Sequence, residues 1–252
     1  MNNGFIKLET KNRIATLTFY HPKSNSFPSI LLKELTENIN QLSEDKNVNV
    51  ILLKSEGEKT FCAGASFDEL IEIDNLKDGK EFFMGFTRLI NSIRKCKKII
   101  VGRIQGKAVG GGVGLVAITD YAMASKNASL RLSELALGLG PFVVGPPIER
   151  KIGIDAFEAM SLDCEWRTAE WGKQHGFYTE VYETIDELDE HINKFVKTLS
   201  ERNPEALTKL KEIFWEGTEH WDELLEERAE NSGKLVLSDY TKKFITDFKN
   251  RS

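Results

Sequence analysis

Apolar and polar residues alternate from Arg13 to Tyr20, with Ala15, Leu17 and Phe19 on one side and Thr16, Thr18 and Tyr20 on the other. Period two is the mark of a strand with one face buried. His21-Pro22 ends it, because proline lacks a donor and restricts the residue before it. Pro28 then opens a helix, with Leu31, Leu35, Ile39 and Leu42 at the spacing that lines up one face. Val48 to Leu53 and Lys98 to Ile104 are short continuous apolar runs, the pattern of strands covered on both faces. Between them lie a loop, Ser55 to Ala65, and a long helix with Phe82, Phe83, Phe86, Leu89, Ile90 and Ile93 on its apolar face. Those aromatics can pack a core or line an apolar pocket; core packing is the preferred expectation. This alternation of strands and helices predicts an α/β fold.

After Gly153 the pattern becomes mostly helical. Asn203-Pro204-Glu205 is a helix start, with Asn as cap and Pro in the first turn, and Leu207, Leu210, Ile213 and Phe214 follow at helical spacing. The last fifty residues read as three helices with apolar faces and little sheet to cover. Such an appendage folds back on its own core or packs against another subunit. The run Glu223 to Glu230 reads as a solvated helix face. The division expected is a core over 1–195 and a helical region over 196–252.

Composition narrows the class. The 252 residues carry 34 basic and 39 acidic side chains, a net charge of −5. A mild acidic excess gives no general attraction to nucleic acid. Three scattered cysteines, Cys62, Cys96 and Cys164, form neither a disulfide framework nor a metal-ligand spacing. No secretory signal or spanning segment is legible, so a soluble, cytoplasmic protein in a reducing compartment is expected.

Several motifs fail on inspection. Starting from Gly110, the dinucleotide fingerprint would need glycine where Leu115 stands. Gly106-Lys107 is followed by Ala108, not the Ser or Thr of a phosphate loop. The histidines, His21, His175, His191 and His220, are isolated, so no metal site is expected. No serine sits in a nucleophile elbow.

Two glycine-bearing segments and one carboxylate remain. Cys62-Ala63-Gly64-Ala65-Ser66 follows a strand and precedes a short helix, and Gly110-Gly111-Gly112 precedes the helix-competent Val113 to Ile118. Backbone N–H groups converging from two such loops would make an oxyanion hole. Tight helix packing is the more ordinary use of such glycines. Glu134 stands beside the run from Leu135 to Pro141, whose side chains are all apolar or absent. Buried, it would be a proton carrier with a raised pKa; on a surface turn it would be inert. Both readings stand.

Together these segments resemble the crotonase (enoyl-CoA hydratase/isomerase) superfamily. The matching pieces are 61–66, 104–112, Asp120-Tyr121-Ala122-Met123-Ala124 and Leu132-Ser133-Glu134-Leu135-Ala136-Leu137-Gly138, in the family's order and spacing. The resemblance implies a spiral of ββα repeats with a C-terminal helical oligomerisation region. It implies a homotrimer or a dimer of trimers. It also implies an acyl-CoA thioester as partner, with coenzyme A entering as part of the substrate and no separate cofactor, nucleic acid or membrane. Carried over by motif, Ala65 and Gly111 supply the oxyanion donors and Glu134 the acid/base. Ala63, Gly64, Gly110 and Gly114 would lie against the substrate, with Phe142 in the acyl pocket.

The departures are informative. Hydratases of the family usually carry a first glutamate two positions after the glycine triplet, where this chain has Gly114. A single remaining glutamate suits isomerisation of an enoyl thioester; hydration and a catalytically silent acyl-CoA-binding subunit are the alternatives. The glycine-rich stretch after Pro141 is altered to Phe142-Val143-Val144, and Phe142 and Val143 are expected to narrow or reshape the acyl pocket, or simply to repack it. Asp68 stands where a lysine is common, Lys23 is a candidate contact to the CoA phosphates, and Phe248-Lys249 resembles the family's closing element. Asp68, Glu69 and Glu149 are candidate replacements for the first glutamate.

Overall fold

A computed structural model describes residues 4–249, with side chains through residue 247. β1 (Phe5–Lys11) and β2 (Ile14–Tyr20) make an antiparallel hairpin, followed by α1 (Ser29–Glu44). Three units of two strands and a helix then succeed one another. The first is β3 (Val50–Ser55) and β4 (Thr60–Cys62) with α2 (Phe67–Leu70) and α3 (Leu76–Lys95). The second is β5 (Ile99–Ile104) and β6 (Lys107–Val109) with α4 (Gly111–Ile118). The third is β7 (Tyr121–Ser125) and β8 (Ser129–Arg131), then a 3₁₀ turn (Leu135–Leu137), α5 (Gly145–Ile152) and α6 (Ile154–Asp163). The chain closes through β9 (Arg167–Thr168), α7 (Ala169–Gln174), β10 (Glu180–Tyr182) and α8 (Ile185–Ser200). It ends in α9 (Pro204–Phe214), α10 (Trp221–Leu235) and α11 (Asp239–Lys249).

Each unit sends its first strand to one sheet and its second to another. The large sheet runs β1-β2-β3-β5-β7-β10 and the small one β4-β6-β8-β9. From β2 to β10, and from β4 to β8, all neighbours are parallel. This is a spiral of ββα units with a helical C-terminal region, in line with the α/β expectation. β1 gave no apolar pattern because nearly all of it is exposed, and the strands of the small sheet are too short for a period to register.

The two continuous apolar runs are covered on both faces. Ile51, Leu53, Ile100 and Ile104 join the main core beneath α1 and α3, while Val50, Leu52, Ile99 and Val101 meet Leu188, Ile192 and Val196 of α8. Each such side chain contributes about 1.5–3 kcal/mol on burial. Helix α8 runs through residue 195, so the sheet-covering layer and the C-terminal helices are continuous there.

Helix α10 folds back on its own core. It crosses α3 at backbone contact, where a Cβ on Gly79 would fall 2.9 Å from the Gly233 carbonyl oxygen. Arg94 adds an ion pair to Asp222 at 2.8 Å. Helix α9 is tied down by Asp120, a buried carboxylate at the head of β7. It accepts from Lys211 Nζ at 2.5 Å, Trp215 Nε1 at 2.9 Å and Ile100 N at 2.8 Å. Removing one member leaves the buried lysine unpaired. Asp120→Ala is therefore expected to lower unfolding free energy by about 3–5 kcal/mol, read from urea denaturation. A loss under 1 kcal/mol would mean that water replaces the carboxylate. Among the described residues, no helix is long and apolar enough to cross a membrane.

Candidate active site

The small sheet gathers the candidate groups. β4, β6 and β8 are parallel neighbours, so the segments that leave their C-terminal ends emerge side by side. Those segments carry Ala63-Gly64-Ala65, Gly110-Gly111 and Ser133-Glu134. All seven residues line one cavity of about 330 Å³.

Backbone pairing aims the donors. Phe27 bridges to Ala65 in parallel fashion, with Phe27 N donating to Gly64 O at 2.8 Å and Ser66 N donating to Phe27 O at 3.0 Å. That pattern turns the N–H of Ala65 away from Phe27. The N–H of Gly111 opens α4, where no earlier turn can accept it. Gly64 has φ +86, and a Cβ there would fall 3.1 Å from Gly111 N and 2.9 Å from Val109 O. The two loops thus approach more closely than a side chain at 64 would allow. The triplet also packs tightly. A Cβ on Gly111 would sit 2.5 Å from the Phe86 ring, and one on Gly112 would collide with the Cys62 carbonyl oxygen. Packing and donor exposure, weighed as alternatives in the sequence, coexist in the same glycines.

Glu134 caps the 3₁₀ turn, and its carbonyl accepts from Leu137 N at 3.0 Å and Leu139 N at 2.9 Å. The side chain lies against Gly110, where a Cβ would meet Oε1 at 3.1 Å. The residue as a whole is half-buried, but Oε2 is sealed and makes no hydrogen bond. Burial pushes the carboxyl up to about 7, against a smaller downward pull from the backbone N–H groups of Glu134 and Ser133. Of the two readings open for Glu134, the geometry is that of a buried, titratable carboxyl facing a cavity.

The remaining candidates divide. Phe142 lines the cavity with Val143 and Val144. Gly114 does not: it faces Val144, where a Cβ would fall 2.5 Å from Cγ1. Lys23 is exposed and ion-paired to Asp68 outside the cavity. Glu69 accepts from the N–H and hydroxyl of Ser29, and Glu149 is exposed on α5. None of these carboxylates lines the cavity. Phe82, Phe83 and Phe86 do line it, while Leu89, Ile90 and Ile93 on the same helix pack the core. The aromatic helix therefore serves both uses, divided along its length. Phe67, Leu70, Ser232 and Phe244 add to the wall, unanticipated because helices α2, α10 and α11 supply them. The side chains of Phe248 and Lys249 lie outside the described residues.

A proton carrier facing two free N–H donors across an apolar cavity can form and reprotonate a carbanion beside a carbonyl. The family model for enoyl-CoA hydratase/isomerase matches residues 9–251. The chain belongs to that family. The short-chain-enoyl-CoA hydratase of Clostridium acetobutylicum is 27% identical over 201 residues, covering 78% of this chain and 76% of the relative. The bacillaene synthase dehydratase PksH of Bacillus subtilis is 31% identical over 183 residues, 69% of each chain. The crystal structure of enoyl-CoA hydratase from Bacillus halodurans superposes with a TM-score of 0.88 at 22% identity, covering 96% of this chain and 99% of that one. That last likeness is one of fold. The enoyl-CoA hydratase/isomerase family acts on acyl-CoA thioesters.

Proposed function

We propose that the protein isomerises enoyl-CoA thioesters, moving a double bond from C3 to C2. The observation that carries this reading is that Glu134 is the sole carboxylate on the cavity among the described residues. Glu134 takes a proton from C2. The C2 electrons delocalise into the thioester carbonyl, and the N–H groups of Ala65 and Gly111 hold the oxygen charge that develops. The same carboxyl returns the proton to C4, leaving the double bond between C2 and C3. Donors fixed by backbone pairing stabilise that charge more than they stabilise the neutral carbonyl. The sequence needs no cofactor, since one proton is moved and none is gained.

Hydration is the second reading, favoured by the hydratase names of relatives. Adding water calls for a group to hold the water opposite Glu134, and the Gly114 position is closed by Val144. A mass-resolved assay on matched 2-enoyl and 3-enoyl CoA thioesters separates the readings. Isomerisation gives a product of unchanged mass with deuterium incorporated in heavy water. A product one water heavier overturns it. No turnover on either leaves the silent-binder reading.

The base must be ionised to begin, so kcat/KM for the 3-enoyl thioester is expected to rise with pH through about 7, following Glu134. A flat profile from pH 5 to 8 would take Glu134 out of the proton transfer. We also propose a homo-oligomer, supported by Leu210, Ile213 and Phe214, which stay exposed on α9. Sedimentation measures the state directly.

A further inference from the structure

The cavity's walls carry information about the acyl group beyond the reaction type. Six phenylalanines line it: Phe67, Phe82, Phe83, Phe86, Phe142 and Phe244. Among the described residues no lysine, arginine or histidine lines it, and its only ionisable side chain is Glu134. A terminal carboxylate on the acyl chain would be buried without a counter-ion and beside a carboxyl that must itself ionise. Burying an unpaired charge costs several kcal/mol. Size sets a second limit. About 330 Å³ holds on the order of eleven groups of water size, at roughly 30 Å³ each. The thioester carbon, oxygen and sulfur take three of them.

We infer that the site accepts an uncharged, apolar acyl chain of about six to ten carbons, straight or ended by an aromatic ring, and rejects carboxylate-tipped acyl groups. This rests on the thioester reading of the same site but not on which reaction follows. It assigns the enzyme a place after reactions that leave a medium-length, apolar unsaturated thioester. It sets the enzyme apart from decarboxylases of dicarboxylic thioesters, whose substrates carry a charge into the pocket.

Saturated thioesters test this without turnover. Binding of butyryl-, pentanoyl-, hexanoyl-, octanoyl-, hexadecanoyl-, phenylpropanoyl- and glutaryl-CoA to the intact protein is measured by calorimetry. Affinity is expected to tighten about threefold or more per added carbon from butyryl to octanoyl. Hexadecanoyl-CoA should bind no tighter than octanoyl-CoA. Phenylpropanoyl-CoA, whose ring meets aromatic walls, should match octanoyl-CoA within a few-fold. Glutaryl-CoA should bind at least 100-fold more weakly than pentanoyl-CoA, which has the same carbon count. Equal affinity for glutaryl and pentanoyl thioesters, or steady tightening to hexadecanoyl, overturns the inference while leaving the thioester reading intact. Failure of every thioester to bind overturns both.

Discussion

Glu134→Gln is expected to lower turnover by about 10²–10⁴-fold while leaving the affinity for a saturated acyl-CoA within a few-fold. The amide keeps the shape of the side chain and cannot carry the proton. The same substitution should stabilise the fold at neutral and higher pH. In the unfolded chain the carboxyl titrates in its ordinary range near 4.5, and in the folded chain near 7. Between those values the folded state holds more protons, so stability falls as pH rises through the window. Above it the folded chain bears the full cost of a buried charge. The variant should therefore match the parent near pH 4 and exceed it by about 1–3 kcal/mol at pH 8, measured by urea denaturation at both values. Lost turnover without gained stability would mean that Oε2 is solvated in solution.

The second large effect lies at Gly114. Writing back a glutamate there should not create a hydratase. Its Cβ would press on Val144 Cγ1 at 2.5 Å and Val144 Cβ at 2.7 Å, and its carboxylate would enter a buried helix. Overpacking and unpaired burial together are expected to cost about 4 kcal/mol or more, a large share of a domain's total stability. Gly114→Glu combined with Val144→Gly removes the collision. The pair should recover much of the lost stability and, with a 2-enoyl thioester, begin to form a product one water heavier. If Gly114→Glu alone folds normally and hydrates, Val144 is not what closes the second position.

Much of this was legible in the chain. The runs at Val48 and Lys98 announced two central strands because both faces are covered, and Leu31 to Leu42 announced α1 because only one face is. The motif segments were legible as a set, since glycine is demanded where backbones touch. What stayed hidden has a common cause. Phe244 reaches the cavity from α11, and Val144 meets Gly114 across two helices. Such contacts depend on how elements are brought together, and nothing in local periodicity records them. β1 was silent for the opposite reason, being held by ladder hydrogen bonds to β2 and not by burial.

In the proposed mechanism the three working segments hang from adjacent strands of the small sheet, and two of them act through main-chain atoms. Side-chain replacement can cripple Glu134 but cannot delete an amide at 65 or 111. Their separation is fixed by strand spacing and register, so it is a matter of chain length. Removing Gly106 from the turn Gln105-Gly106 would slide β6 by about 3.3 Å against β4 and β8. Every side chain would survive, yet the two amides would no longer face the same oxygen. Alanine scanning would leave such a site looking like a one-residue catalyst. A backbone ester in place of an amide, or a single-residue deletion, would reveal the rest.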